Sequence, residues 1–401
     1  MRRCLFTYFA IIMRRMVCTG SPPPLIVLDR LMAKPQTILT RAFSLLLCFF
    51  TCLPSVHGQT DSSVWEKPPE IAYSGYVDIF YAYDFNTPTT DYRQPFLYNH
   101  NRHNEFSLNQ SFIKVSARHS NYRAKVALQA GTYVMDAYAL EPAGLQYMYE
   151  ANVGLSLTTN NTLWFDAGIF GSHIGFESAI SMDSWTLTRS LLAENSPYYL
   201  AGGKVTYKPD EHWEYAAIVC NGWQRIKRVS NNSLPAFCTQ VKYTDGNNLI
   251  MNWSTFIGTD DPDSSRRMRY FNNMYCQAQV SKRVSIIVGL DLGVQQLQKN
   301  SAQYALWYSP IVIARYVWTD QWSTSVRAEY YQDENEVIIP TGTPTGFKTT
   351  GLSLNLDYSP VKNLAWRIEG RWLKSADNIF QRQNLLVNDN IALVSSIAVS
   401  F

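Results

Sequence analysis

No run of about 20 apolar residues, the length a helix needs to cross a bilayer, occurs in the 401 residues; the longest, 42–53, has twelve. The chain therefore offers no candidate for a helical membrane span. Amphipathic helices of ordinary length are missing as well, because apolar positions recur with a period of two almost throughout. Histidine is scarce, six in all: His57 sits early, His100, His103 and His173 lie in or beside long polar stretches, and His119 and His212 fall in short turns. None stands with a serine and an acidic or amide partner on a nucleophile motif, and no His, Cys and carboxylate spacing suggests a metal. No catalysis, no metal and no cofactor are expected.

A basic surface is missing too, once the first residues are set aside. Lys34 and Arg41 precede the 42–53 run, and Val56-His57-Gly58 follows Pro54, which reads as a secretory signal over 32–58 with cleavage before Gln59. Residues 1–31 carry a second basic and apolar patch ending near Pro22-Pro23-Pro24, so Met32 is the expected native start. A peptide from 1–31 recovered from cell extracts would contradict that. Seven of the 35 basic residues and one of the 32 acidic ones precede Gln59, which leaves 28 against 31, a net charge of −3 for 59–401. Nucleic acid is excluded as a partner, since no Lys/Arg run reopens the case.

What the chain has in abundance is strand. From Asn390 the odd positions Ile391, Leu393, Ile397, Val399 and Phe401 are apolar or aromatic, broken only by Ser395. The even ones are small or polar, broken only by Val394. One face suits lipid and the other a wet lumen. A soluble β-sandwich or a β-solenoid shares much of this alternation, but it lacks the terminal aromatic residue and the features that follow. Segments of roughly 10 residues begin near Ile71, Asn104, Tyr122, Tyr147, Thr162, Tyr199, Trp213, Phe237, Leu249, Met268, Val284, Ala302, Trp322, Phe347, Leu364 and Asn390, sixteen in total. Short polar turns, such as 119–121, 209–212 and 319–321, alternate with longer connections, notably 85–103, 171–198, 332–346 and 376–388. The fold class predicted is all-β, a single transmembrane antiparallel up-and-down β-barrel of about 16 strands over 59–401, in a bacterial outer membrane with both termini in the periplasm.

Individual strands carry the same message. Leu364, Trp366, Ile368 and Trp372 face out while Arg367, Glu369 and Arg371 face in. An Arg or Lys on the lipid side would cost about 2–4 kcal/mol at the midplane, which a watery interior removes. Tyr207, Trp213, Trp318, Trp322, Tyr358 and Phe401 mark an aromatic girdle near the short turns. Phe106 and Leu108 are out of phase with Ile113 and Val115, which predicts a bulge near Gln110.

The third long connection, 171–198, holds His173, Glu177, Asp183, Arg189 and Glu194. A wall of 16 strands leaves an aqueous channel unless something narrows it. An acidic loop folded inward, facing lumen-wall groups Arg123, Lys125, Arg327, Glu329, Arg367, Glu369 and Arg371, would place a transverse field across the narrowest point. The blander alternative pairs these charges with one another and leaves the loop as an outer cap. Of the three cysteines after Gln59, Cys220 and Cys238 point to the lumen by parity and are candidates for a disulfide, while Cys276 points to lipid.

The stretches LWFDAGIFGSHIGFES (163–178), SWTLTRSLLAENSPYYLAGGKVTY (184–207), NGWQRI (221–226) and SGYVDIFYAYDFN (74–86) resemble the OmpL-like β-barrel porin family of Bacteroidota, over essentially all of 59–401. The resemblance implies an outer-membrane barrel with pore activity and hands over no substrate. It draws attention to His173, Glu177, Arg189, Glu194, Asn195, Tyr198 and Tyr199. The expected function is a porin that passes small hydrophilic solutes by passive diffusion, with 171–198 as constriction; a non-conducting adhesin or structural barrel is the alternative. Expected partners are outer-membrane lipid, the barrel-assembly machinery through the strand ending in Phe401, the solutes themselves, and further copies of the chain in a homo-oligomer.

Overall fold

Strand after strand pairs with its sequence neighbour until the last meets the first. The computed structural model describes residues 67–401; the signal over 32–58 and the upstream segment 1–31 lie outside the described residues. The strands are β1 (Glu70–Asp84), β2 (Phe106–Arg118), β3 (Tyr122–Ala130), β4 (Met148–Ser156), β5 (Leu163–Gly171), β6 (Tyr199–Tyr207), β7 (Trp213–Cys220), β8 (Ala236–Thr244) and β9 (Leu249–Gly258). There follow β10 (Arg269–Gln279), β11 (Val284–Gln296), β12 (Tyr304–Val317), β13 (Trp322–Asp333), β14 (Phe347–Val361), β15 (Leu364–Ser375), β16 (Phe380–Arg382), β17 (Leu385–Val387) and β18 (Asp389–Ser400). β1–β15 and β18 form a closed antiparallel barrel of sixteen strands, while β16 and β17 form a separate hairpin in the last long loop. Among the described residues three short α-helices, α1 (Thr132–Ala137), α2 (Ala143–Gln146) and α3 (Leu191–Glu194), all lie in long loops.

Closure is made by β1 against β18, from Tyr76 opposite Ser400 to Asp84 opposite Ala392. The seam is finished by Phe401, whose N–H donates to the Gly75 carbonyl at 3.0 Å and whose carbonyl accepts from the Gly75 N–H at 2.7 Å. The Phe401 ring lies where a side chain on residue 75 would stand, so a larger residue there would have to displace that ring. The expected bulge is present: Asp78 pairs with Gln110 and Ile79 with Leu108, which leaves Asn109 as the extra residue.

The period-two pattern resolves into two environments. On β15 Arg367, Glu369, Arg371 and Leu373 are buried inside while Trp366 is exposed on the outer wall. Ile113, Val126, Leu354 and Ile397 are likewise exposed outward, as a lipid-facing band requires. Aromatic pairs gather by the short turns: Trp213 stacks near Tyr215 and Tyr243 (centroids 5.8 and 4.9 Å), Trp318 meets Tyr316 (4.5 Å), and Trp322 meets Tyr358 (4.6 Å). They form the interfacial belt.

Candidate functional site

The 172–198 connection between β5 and β6 has almost no secondary structure of its own, so its backbone N–H and C=O groups must find partners elsewhere. They find them on the inner faces of strands far around the barrel, which puts the loop inside the lumen. Its first turn leans on β8–β10. The His173 Nε2–H donates to the Thr255 carbonyl at 2.9 Å, the His173 carbonyl accepts from Ser254 Oγ (2.6 Å) and Gln240 Nε2 (3.1 Å), and the Gly175 N–H donates to Asn273 Oδ1 (3.0 Å). Burial holds the His173 imidazole down to about 4, so it is neutral.

The middle of the loop reaches β1 and β13–β15. The Ser181 N–H donates to the Tyr76 hydroxyl (3.1 Å), and Arg367 donates to the carbonyls of Ser181 and Ser184 at 2.5 and 3.0 Å while its Nε donates to Asp357 at 2.7 Å. The Leu187 N–H donates to Asn355 (3.1 Å) and the Thr188 N–H and hydroxyl donate to Glu369 at 2.6 and 2.7 Å. Arg327 donates to Thr186 Oγ1 (2.8 Å), the Thr188 carbonyl (2.6 Å) and Glu369 (2.9 Å). Arg371 donates to the Arg189 carbonyl (2.9 Å) and to Glu329 (2.7 Å), and Glu329 in turn accepts the Leu191 N–H at 2.6 Å. Farther on, Ser196 Oγ donates to Asp291 on β11 at 2.7 Å.

The division of labour is chemical: wall carboxylates take the loop's amides and wall guanidiniums take its carbonyls. Inside the loop, Ser190 caps α3 by accepting the Ala193 N–H (3.2 Å) and donates to Glu177. Arg189 is fully buried and donates to the Leu187 carbonyl at 3.3 Å, whereas Asp183 is exposed. The charges therefore do not confront one another across water, as the transverse-field expectation required. Arg327, Glu329, Glu369 and Arg371 are buried and in direct contact, and the same groups moor the loop's irregular backbone. Arg123 and Lys125, though on the lumen face, take no part: Arg123 forks onto Asp166 (2.7 and 2.5 Å) and covers the Trp164 ring, and Lys125 lies 3.7 Å from Glu150.

Glu194 ties this loop to the first one. Its carboxylate accepts the Tyr98 N–H (3.0 Å), the Asn99 N–H (3.2 Å) and Asn99 Nδ2 (3.3 Å). Burial pushes its carboxyl up to about 7, against the opposing pull of the Tyr98 amide and Arg189. The folded value lies above the ordinary 4.5, so the stabilisation is full below about 4.5 and is lost as pH rises through about 7. Hydrogen exchange at Tyr98 and Asn99, corrected for intrinsic rates, should accelerate between pH 5 and 8, and the acceleration should vanish in Glu194→Gln.

Sequence patterning gave no sign of how the outer half of the lumen is filled. Lumen-facing Phe170, Ile218, Phe256, Phe271, Trp307, Tyr331, Phe347 and Leu373, drawn from strands around most of the barrel, join one buried apolar cluster with loop residues Phe96, Leu97, Ile174, Leu191, Ile339 and Phe380. A second cluster brings α1 residues Tyr133, Val134 and Ala137 against Tyr199 and Ala201 of β6. Phe96, Leu97 and Ile339 belong to loops whose polar composition disguises single inward-pointing apolar anchors. Cys220 and Cys238 sit in this packed region as free thiols with sulfurs 3.8 Å apart, rather than bonded. They are diagonal neighbours: Cys220 is opposite Ala236 and Cys238 opposite Ile218. Among the described residues no group of His, Cys, Asp and Glu could hold a metal.

A closed sixteen-stranded barrel with an apolar outer face, a belt of interfacial aromatics and loops turned into its lumen is an outer-membrane β-barrel protein. The family described as putative beta-barrel porin-2, OmpL-like, matches residues 70–401, and the chain belongs to it. It is a porin of the bacterial outer membrane. Among solved structures it is similar to OmpT, an outer membrane protein of Vibrio cholerae (trimer form), at 11% identity and TM-score 0.54, covering 84% of this chain and 100% of that one. It is also similar to the anion-selective porin from Comamonas acidovorans (9%, TM-score 0.53, 83% and 100% covered) and to Pseudomonas putida OprB (8%, TM-score 0.51, 86% and 97% covered). A search of curated proteins finds no match.

Proposed function

We propose that this barrel passes small hydrophilic solutes by passive diffusion, that residues 171–198 form its constriction, and that it carries out no catalysis. The observation that carries the reading is the mooring of an irregular loop, through its backbone, to charged side chains on the inner wall at Glu329, Arg327, Glu369 and Arg371. A loop held that way narrows the passage with little secondary structure of its own, and it acts by size and charge. His173, Glu177, Arg189 and Glu194 serve the loop's shape, and Asp183 is the loop carboxylate that meets water. The strand ending in Phe401, which closes against Gly75, is the element we assign to recognition by the barrel-assembly machinery. A trimer is the assembly to test, given the trimer form named for the Vibrio cholerae protein.

The second reading, a non-conducting adhesin or structural barrel, is favoured by one observation: the apolar cluster that packs the outer half of the lumen. Liposome swelling separates the two. Vesicles holding the refolded barrel should swell in isotonic pentose, with rates that fall as the neutral sugar grows. Folded protein that gives no swelling with any sugar would sink the porin reading and leave the structural one.

A further inference from the structure

The inner half of the lumen has a different character from the packed outer half. The loop's hydrogen bonds to the wall run to β1, β8–β11 and β13–β15, and its Ile180 and Met182 pack beside Phe112 of β2 and Tyr149 of β4, while the inner faces of β2–β8 nearest the short turns carry basic side chains. Six basic side chains fall on that face by strand parity: Lys114 and Arg118 on β2, Arg123 and Lys125 on β3, Lys204 on β6 and Lys242 on β8. Three acidic ones share it, Glu150, Asp166 and Glu214, and the exposed loop carboxylate Asp183 lies within electrostatic reach of Lys114, so six cations stand against four carboxylates. The residues lie close in height, since Arg118 pairs with Arg123, Asp166 with Lys204 and Glu214 with Lys242.

The ion pairs do not cancel this excess as seen from the water. In the Arg123–Asp166 pair the cation is 33% exposed and the carboxylate 6%; in Lys125–Glu150 the figures are 43% and 13%. Lys114 against Glu150 has the same order. One carboxylate, Glu150, serves two lysines. Among the described residues neither Lys204 nor Lys242 has a carboxylate partner in an ion pair; Lys204 instead lies over the Phe170 ring at 4.7 Å. At the rim a cavity of about 650 Å³ opens between Lys67, Arg118 and Arg123, with Glu70 the one carboxylate in its lining.

We propose that this basic strip makes the barrel anion-preferring: small anionic solutes, of the carboxylate or phosphate kind, are concentrated in the inner half of the lumen and pass more readily than cations of equal size. The inference rests on the porin reading above and adds the charge of the solute to it. A low-dielectric wall focuses the field of such a strip into the water it encloses, and arginine and lysine rings set anion preference in pores generally. The net charge of −3 for residues 59–401 does not oppose this, because the groups that act are those the permeating ion meets. Arg327, Glu329, Glu369 and Arg371 are buried and mutually paired, so they add little to the sum.

The test is the zero-current potential of the refolded protein in a planar bilayer under a KCl gradient. The expected result is chloride preferred over potassium by on the order of threefold. Lys125→Glu with Lys204→Glu should abolish or reverse the preference, and the milder Lys125→Gln with Lys204→Gln, which adds no buried negative charge, should reduce it. Current with potassium preferred, or a preference unmoved by both double variants, would overturn the inference and leave the porin standing. A folded barrel that passes no current would overturn the porin reading, and the inference with it.

Discussion

Arg327→Ala should release the inward loop, raising conductance severalfold and lowering the stability of the barrel by about 3–5 kcal/mol, the usual cost of stripping one partner from a buried ion pair. Arg327 is fully buried and stands between Glu329 at 3.2 Å and Glu369 at 2.9 Å, with Glu177 near. Its removal leaves Glu369 and Glu177 without their counter-charge and Glu329 with Arg371 alone, and it also takes away the donors to Thr186 and to the Thr188 carbonyl. The loop's middle then keeps only the Leu191 N–H bond to Glu329 as its hydrogen bond to β13. Loss of the heat-modified gel mobility at lower temperature measures the stability, and single-channel recording measures the conductance. Glu369→Gln placed on top of Arg327→Ala should recover part of the stability, because it removes one excess charge while keeping the side chain's shape. Wild-type stability and conductance in Arg327→Ala would mean that the network does not hold the loop.

Trp307→Ala should open the outer half. The Trp307 indole is 1% exposed, lies parallel to Phe271 with centroids 6.2 Å apart, and covers Gly293 on β11 so closely that no side chain fits there. Truncating a fully buried aromatic residue costs about 3–5 kcal/mol through lost burial and the cavity left behind. Here the cavity would lie in the apolar cluster shared with Phe96 and Leu191 from the loops. More frequent or longer open events are the expected electrical signature. Trp366→Ala is the control: that indole is exposed on the outer wall and donates to Ser395 Oγ at 3.0 Å, so its loss should leave the current unchanged.

Much of the barrel was legible because its determinants are local. Strand starts inferred from alternation fall within two residues of those found, as with Ile71 against Glu70, Ala302 against Tyr304, and Trp322 itself. Turn chemistry at 119–121 and 209–212 set the boundaries. The bulge at Asn109 was visible as a phase slip. The lumen-facing parity of Arg327, Glu369 and Arg371 followed from the same period. What alternation could not supply was the angle around the barrel. Arg123 and Arg367 have the same parity, but only Arg367 lies against the loop. The outer-half packing was hidden for a related reason. Phe96 and Phe347, with ring centroids 4.8 Å apart, are separated by most of the sequence, and nothing in the loop around Phe96 distinguishes an inward anchor from an exposed aromatic. The helices of the 131–147 loop were also missed, being one to two turns long and without a polar cap on their own side chains.

Single-channel conductance of the refolded protein beside a variant lacking Ser178 to Glu194 tests the central claim most directly. The deletion removes the segment bonded to Arg327, Glu329, Glu369 and Arg371 while sparing β5 and β6. Stepwise conductance in the intact protein that grows severalfold in the deletion is the predicted result. Conductance of equal size in both would contradict the assignment of the constriction to this loop.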